Sequence, residues 1–193
     1  MKQEKFETYC ADGVKLSGLL LIPEKPKAVI QFNCGTATKK EFYLKFLTYL
    51  TENGYLCCLW NYRWTNESDN LKNRDLSYID YGIKDMPGIK SYLDKRFPHL
   101  PFMLIGHSVG GQQIGFMNNL DNVVGNINIA VSSGYWLYMP FKYRMRAYFF
   151  FYVFSPLSAL VYGYIKAKPY GFMENLPTKF VLEWRKWLGQ KDL

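Results

Sequence analysis

A chain of 193 residues that is 49% hydrophobic and 18% aromatic holds too much apolar material for a disordered tail, and suits one domain with a sizeable core. Its net charge of +8 comes from scattered Lys and Arg rather than from a basic tract, which argues against a nucleic-acid partner. Cys10, Cys34, Cys57 and Cys58 lack C-x-x-C spacing and the charged opening lacks a secretory apolar run, so the reading is a cytoplasmic protein with reduced, buried thiols, no metal and no cofactor.

In chain order, "DGVKLSGLLLIPEKPKA" predicts a strand or strand pair, with turn signals at Asp12-Gly13 and from Pro23 to Pro26. "AVIQFNC" from Ala28 is a short apolar run, as expected of a strand buried on both faces. A helix follows, with Phe42, Phe46, Leu47 and Leu50 on one face and Asn53-Gly54 ending it. "YLCCLWNY" from Tyr55 predicts a second buried strand. Next comes a helix with Asp85 as N-cap, Pro87 in its first turn and Ile89, Leu93 and Phe97 on one face. "FMLI" is a third strand, with a helix running from Ser108 through Ile114 and Met117, and "NINIAV" at 126–131 is a fourth. Strands alternating with helices at this spacing predict an α/β fold: a mostly parallel sheet with helices on both faces. From Tyr135 the pattern changes to aromatic, helix-like segments broken by prolines. The predicted organisation is a core over 1–134 and a helical aromatic cap over 135–193, laid over the sheet.

Within that cap, residues 147–165 run without a charge between Arg144 and Arg146 on one side and Lys166 and Lys168 on the other. The length could span a bilayer, but Pro156, two serines and four tyrosines favour an aromatic lid or an interfacial helix over a true span, with membrane contact through 147–165 less expected than a lid.

Gly106-His107-Ser108-Val109-Gly110 sits at the carboxyl end of a predicted parallel strand, where ligands gather in such sheets. A G-x-S-x-G run between strand and helix makes a tight turn that projects the serine hydroxyl above the sheet, and the glycines allow strand and helix to approach. "NCGTATKKEFY", at 33–43, lies between an earlier strand and its helix. It can supply one oxyanion N–H, from Gly35 or Thr36, while Val109 supplies the other; alternatively Thr36 or Thr38 merely caps the helix.

Taken together, "QFNCGTATKKEFYLKFLTYLTENGY", "NYRWTNES" and "GHSVGG" resemble the α/β-hydrolase superfamily, in particular serine hydrolases of the esterase, lipase and serine-aminopeptidase type. The resemblance covers about Asp12 to Ala130. It implies Ser108 as nucleophile and Val109 with Gly35-Thr36 as the oxyanion hole. Trp64-Thr65-Asn66 replaces the glycines usual in that loop.

The larger departure is the base. Family members place Asp or Glu and then His after the serine, whereas His99 and His107 both precede Ser108. As the last strand residue, His107 should point away from the serine hydroxyl and act as a hydrogen-bonded support. His99 falls toward the amino end of its strand. Asp121, Glu174, Glu183 and Asp192 read as solvent-facing, and nothing in the spacing recommends Lys142 or Lys166 as a base. The resemblance further implies two more strand–helix units where this chain stops at "LEWRKWLGQKDL", hence a truncated member with an apolar edge near Asn128 open to self-association.

The expected function is hydrolysis of an ester, thioester or small amide with an apolar acyl group, through an acyl-enzyme. It should be weak or absent because the triad is incomplete. The alternative is a non-catalytic relic or binding module for an apolar ligand or partner.

Overall fold

The structure, a computed structural model, describes residues 1–36, 38, 40–63, 75–171 and 173–191. Those residues fall into two compact units, one from 1–69 and 79–131, the other from 70–78 and 132–193.

The first unit is built on a six-stranded sheet: β1 (Lys2–Tyr9), β2 (Lys15–Ile22), β3 (Ala28–Asn33), β4 (Tyr55–Trp60), β5 (Phe102–His107) and β6 (Val123–Ile129). The spatial order is β1-β2-β4-β3-β5-β6. β1 and β2 form an antiparallel hairpin, β2 meets β4 antiparallel, and β4, β3, β5 and β6 run parallel. The predicted mostly parallel sheet is therefore present. β1 had no counterpart in the reading: its charges (KQEKFETY) suit a sheet edge, where they oppose pairing with another chain. The fourth parallel strand begins at Val123 rather than at 126 and ends before Ala130, which turns away at φ 51°.

Alternation along β3 places the helices. Phe32 packs against the tilted ring of Tyr43, just before α1 (Leu44–Glu52), with ring centroids 4.6 Å apart. Its neighbour Gln31, on the opposite face, donates to the carbonyl of Met86, the first residue of α2 (Met86–Arg96), at 3.1 Å. One residue of offset in a strand reverses the face, so α1 and α2 cover opposite sides. The residues of β3 are buried throughout, as a strand covered on both faces requires.

Two helix readings change. A 3-10 turn over Lys40–Tyr43 leads into α1 and shifts its phase, so the inward stripe is Tyr43, Leu47 and Thr51. Phe42, 74% exposed, points outward instead, and Phe46, 40% exposed, meets Phe32 only edge-on at 6.2 Å. Asp85 is no cap: its side chain makes no bond to the helix start, and a π-turn over Tyr81–Asp85 already precedes α2. Asp85 is wholly buried, and its carboxylate accepts from the Arg63 backbone N–H at 2.9 Å and from Arg63 Nε at 2.5 Å. Arg63 also reaches Asp12 in the β1–β2 turn, at 2.8 Å. The helix position that reads locally as a cap is thus one partner of a buried ion cluster joining the hairpin, the end of β4 and α2. Burial pushes the Asp85 carboxyl up, and the Arg63 guanidinium opposes that rise.

All four cysteines are free and buried. Burial raises the thiols, Cys10 to about 12 and Cys57 to about 11, so they sit as small apolar side chains rather than nucleophiles.

The second unit contains α4 (Phe141–Tyr148), a π-turn over Phe149–Phe154, α5 (Ser155–Tyr162) and α6 (Thr178–Leu188). Its core gathers Phe150, Phe151, Phe180 and Trp184 with Tyr78. Glu183, read as solvent-facing, instead accepts from Ser77 Oγ at 2.5 Å and the Tyr78 N–H at 2.7 Å, which ties that segment to α6. Glu174 pairs with Lys168. Among the described residues, no helix is long and apolar enough to cross a membrane.

Candidate functional site

β5 ends at His107, and Ser108 turns the chain into α3 (Val109–Ile114) with φ 52° and ψ −123°. Positive φ is uncommon outside glycine, and its cost is sustained where the surroundings overdetermine the turn. Here they do. The Ser108 N–H donates to the Ile129 carbonyl of β6 at 3.0 Å, and its carbonyl accepts from the Gly111 N–H at 3.0 Å. The flanking glycines meet a steric demand. A Cβ on Gly106 would lie 2.6 Å from the Gly111 nitrogen, and one on Gly110 would run into the Asn33 carbonyl. Strand and helix meet at backbone contact there, as the motif requires.

α3 is shorter than expected and ends at Ile114 rather than Met117. With so few turns its dipole counts for little, and the useful group is the Val109 amide, which as the first helical N–H has no partner inside the helix.

His107 lies on the face of the sheet that carries Ile105, which aligns with Phe32 and hence with α1. Its Nδ1 is 2.8 Å from the Tyr43 hydroxyl. That hydroxyl already accepts the Gly35 N–H at 3.0 Å. The Tyr43 hydroxyl can give its proton to Nδ1 or accept one from it, according to the His107 tautomer. Burial lowers the His107 pKa and so favours the neutral ring. A chain of bonds thus runs from the last residue of β5 through Tyr43 to the loop after β3. Among the described residues, nothing hydrogen-bonds the Ser108 hydroxyl.

The two loop amides differ in their surroundings. The Gly35 N–H is spent on Tyr43, and a Cβ on Gly35 would press on His107 Nδ1 at 2.8 Å. Thr36 is next in the loop, and Thr38 Oγ1 donates to the Thr36 carbonyl at 3.4 Å rather than capping α1. Tyr43 escaped the sequence reading. Its signal was its place four residues before Leu47 on the buried stripe, hidden while Phe42 and Phe46 were taken to face inward. Trp64-Thr65-Asn66 and Asp192 lie outside the described residues.

Two cavities of the first unit, of about 510 and 530 Å³, open elsewhere. One is lined by Phe6, Gly18 and Leu59, the other by Cys10, Lys84 and Tyr92, and neither reaches Ser108. No group of His, Cys, Asp or Glu suited to a metal ion occurs among the described residues.

Solved structures share this fold. A thermostable carboxyl esterase from Bacillus coagulans superposes with a TM-score of 0.61 at 17% identity, over 84% of this chain and 52% of the esterase. An esterase of Pyrococcus furiosus gives 0.58 at 18% identity, over 77% and 60%. An α/β hydrolase from Penicillium gives 0.56 at 19% identity, over 68% and 46%. The chain therefore spans about half the length of these structures. No curated protein matches it by sequence. A family model described as "Serine aminopeptidase, S33" matches residues 24–131, which run from before β3 to just past β6 and include the whole serine turn. With the mostly parallel sheet and that match over more than half its length, the chain belongs to the serine aminopeptidase family of the α/β-hydrolase superfamily.

Proposed function

We propose that this chain carries the nucleophile and oxyanion arm of a serine hydrolase that attacks a carboxylic ester, thioester or small amide. Ser108 Oγ adds to the carbonyl, its proton passing to solvent water, and the N–H groups of Val109 and Thr36 receive the carbonyl oxygen as it becomes an anion, where fixed donors are worth most. The observation that carries the reading is the Ser108 backbone at φ 52° and ψ −123° between a buried parallel strand and a helix. The esterases among the structural neighbours support an ester as the substrate.

Within these 193 residues no histidine follows Ser108. His107 is turned to Tyr43 and serves as a positioning residue for the oxyanion loop rather than as a base. A hydroxyl at its ordinary pKa is a weak nucleophile, and in a studied triad the loss of one member removes about four to six orders of magnitude. This chain alone should therefore turn over nitrophenyl esters barely above the uncatalysed rate, with slow Ser108-dependent labelling by a fluorophosphonate. Fast turnover abolished by Ser108→Ala would refute the unassisted serine. Labelling unchanged by Ser108→Ala would refute the site itself. The unpartnered hydroxyl also supports a second reading, a scaffold that binds an apolar acyl ligand without cleaving it. Measurable binding of a fatty acid by calorimetry, with no labelling, would favour that reading.

A further inference from the structure

The second unit carries several of its large apolar residues on the outside. Along the helical run from Phe141 to Tyr162, the side turned inward carries Phe150 and Phe151 but also two serines, Ser155 and Ser158. Ser158 Oγ is fully engaged: it accepts the Lys166 N–H at 2.9 Å and donates to the Tyr164 carbonyl at 3.1 Å. The side turned outward carries Phe149, Val153, Leu157, Leu160 and Val161. Leu160 is 83% exposed, Val161 69% and Leu157 59%. From Tyr148 to Val161 that outer side has no charged residue. A helix of a water-facing unit normally shows the reverse, and a contiguous apolar patch of this kind marks an interaction surface.

Charge says what covers it. No Asp or Glu occurs between Asp121 and Glu174, whereas Lys142, Arg144, Arg146, Lys166 and Lys168 do. The three cations of α4 stand before the apolar stretch and Lys166 follows it, while Lys168 is held by Glu174 at 2.9 Å. The Lys166 ammonium lies over the Tyr162 ring, 4.5 Å from its centroid. Two copies of the chain would bring the same acid-free, cationic segments face to face, so charge opposes self-association here. An anionic lipid surface offers apolar depth for the leucines and phosphate charge for the flanking cations.

We propose that the outer face of residues 148–161 docks on an anionic phospholipid bilayer, lying in the interface rather than crossing it. The proposal is independent of the serine chemistry and stands or falls separately from it.

Vesicle flotation with the full chain tests it. Vesicles of phosphatidylcholine with phosphatidylglycerol should carry the protein, and phosphatidylcholine alone should carry much less. Arg144→Gln with Arg146→Gln should weaken binding about tenfold, and added salt should do the same. Leu157→Ser with Leu160→Ser should also weaken it about tenfold through lost apolar depth, with helicity and urea midpoint unchanged because both side chains are exposed. No recovery with anionic vesicles, or binding indifferent to Leu157 and Leu160, overturns the proposal. So does a concentration-dependent dimer that the same serine variants dissolve while vesicles go unbound, which would make a second copy the occupant.

Discussion

The central strands of the first unit and the 141–162 run of the second place the same kinds of residue in opposite ways. In the first, β3 and β4 hide nearly everything, while the outer strand β1 is studded with Lys and Glu. In the second, serines sit inside one helix and leucines outside it. The difference separates residues that hold a fold from residues that wait for something. A buried contact is already part of the stability of the first unit, whereas an exposed leucine of α5 contributes almost nothing until a partner arrives.

The sharpest test of that contrast is the ion cluster. Arg63→Met would leave the Asp85 carboxylate buried beside a thioether, and should cost about 4 kcal/mol by urea denaturation near neutral pH. The deficit should shrink toward acid pH. A carboxyl whose folded pKa is raised contributes stability below its unfolded value and loses it as pH rises through the folded one, and losing Arg63 raises it further. A deficit independent of pH would mean that Asp85 finds another cation. Next in size, Tyr43→Phe removes the hydroxyl between His107 and Gly35, and should cost about 1 kcal/mol by the same measurement. It should also slow labelling of Ser108, since the loop that carries Thr36 loses its strut.

A smaller effect follows from His107. Its folded pKa lies below the ordinary histidine value of about 6.5, so the unfolded chain takes up the proton first as pH falls. Its contribution is whole above that value and declines as pH drops from there through the folded pKa. A urea-midpoint profile should show this decline in the native chain and not in His107→Gln. Smallest of all, Leu160→Ser should change stability by no more than about 0.5 kcal/mol. A larger loss would mean that the outer face of α5 already supports its unit, and the contrast between the units would dissolve.

Some of this was legible without coordinates. The continuous apolar runs of β3 and β4 announced a covered parallel sheet, because a strand shielded on both faces has no polar alternation to hide. The glycine-flanked Ser108 announced a tight turn, since Gly106 and Gly110 are needed where backbones touch. Strand parity sufficed to turn His107 from the serine.

What stayed hidden depends on distance along the chain or on helical phase. Asp85 obeys a local rule for helix starts, yet its partner stands 22 residues away, and only the packed sheet brings Arg63 beside it. The face of α1 turned on a 3-10 entry that rotates Tyr43 inward and Phe42 outward, a shift too small to read from apolar spacing.

By itself, then, the order of residues determined the strand and helix alternation and the position of the serine turn, because both follow from neighbours within a few bonds. Tertiary structure alone decided that Tyr43 takes up the Gly35 amide, where Asp85 finds its cation, and which side of the 141–162 run meets the surroundings. Each of these depends on groups that come together only when a burial requirement far along the chain is satisfied.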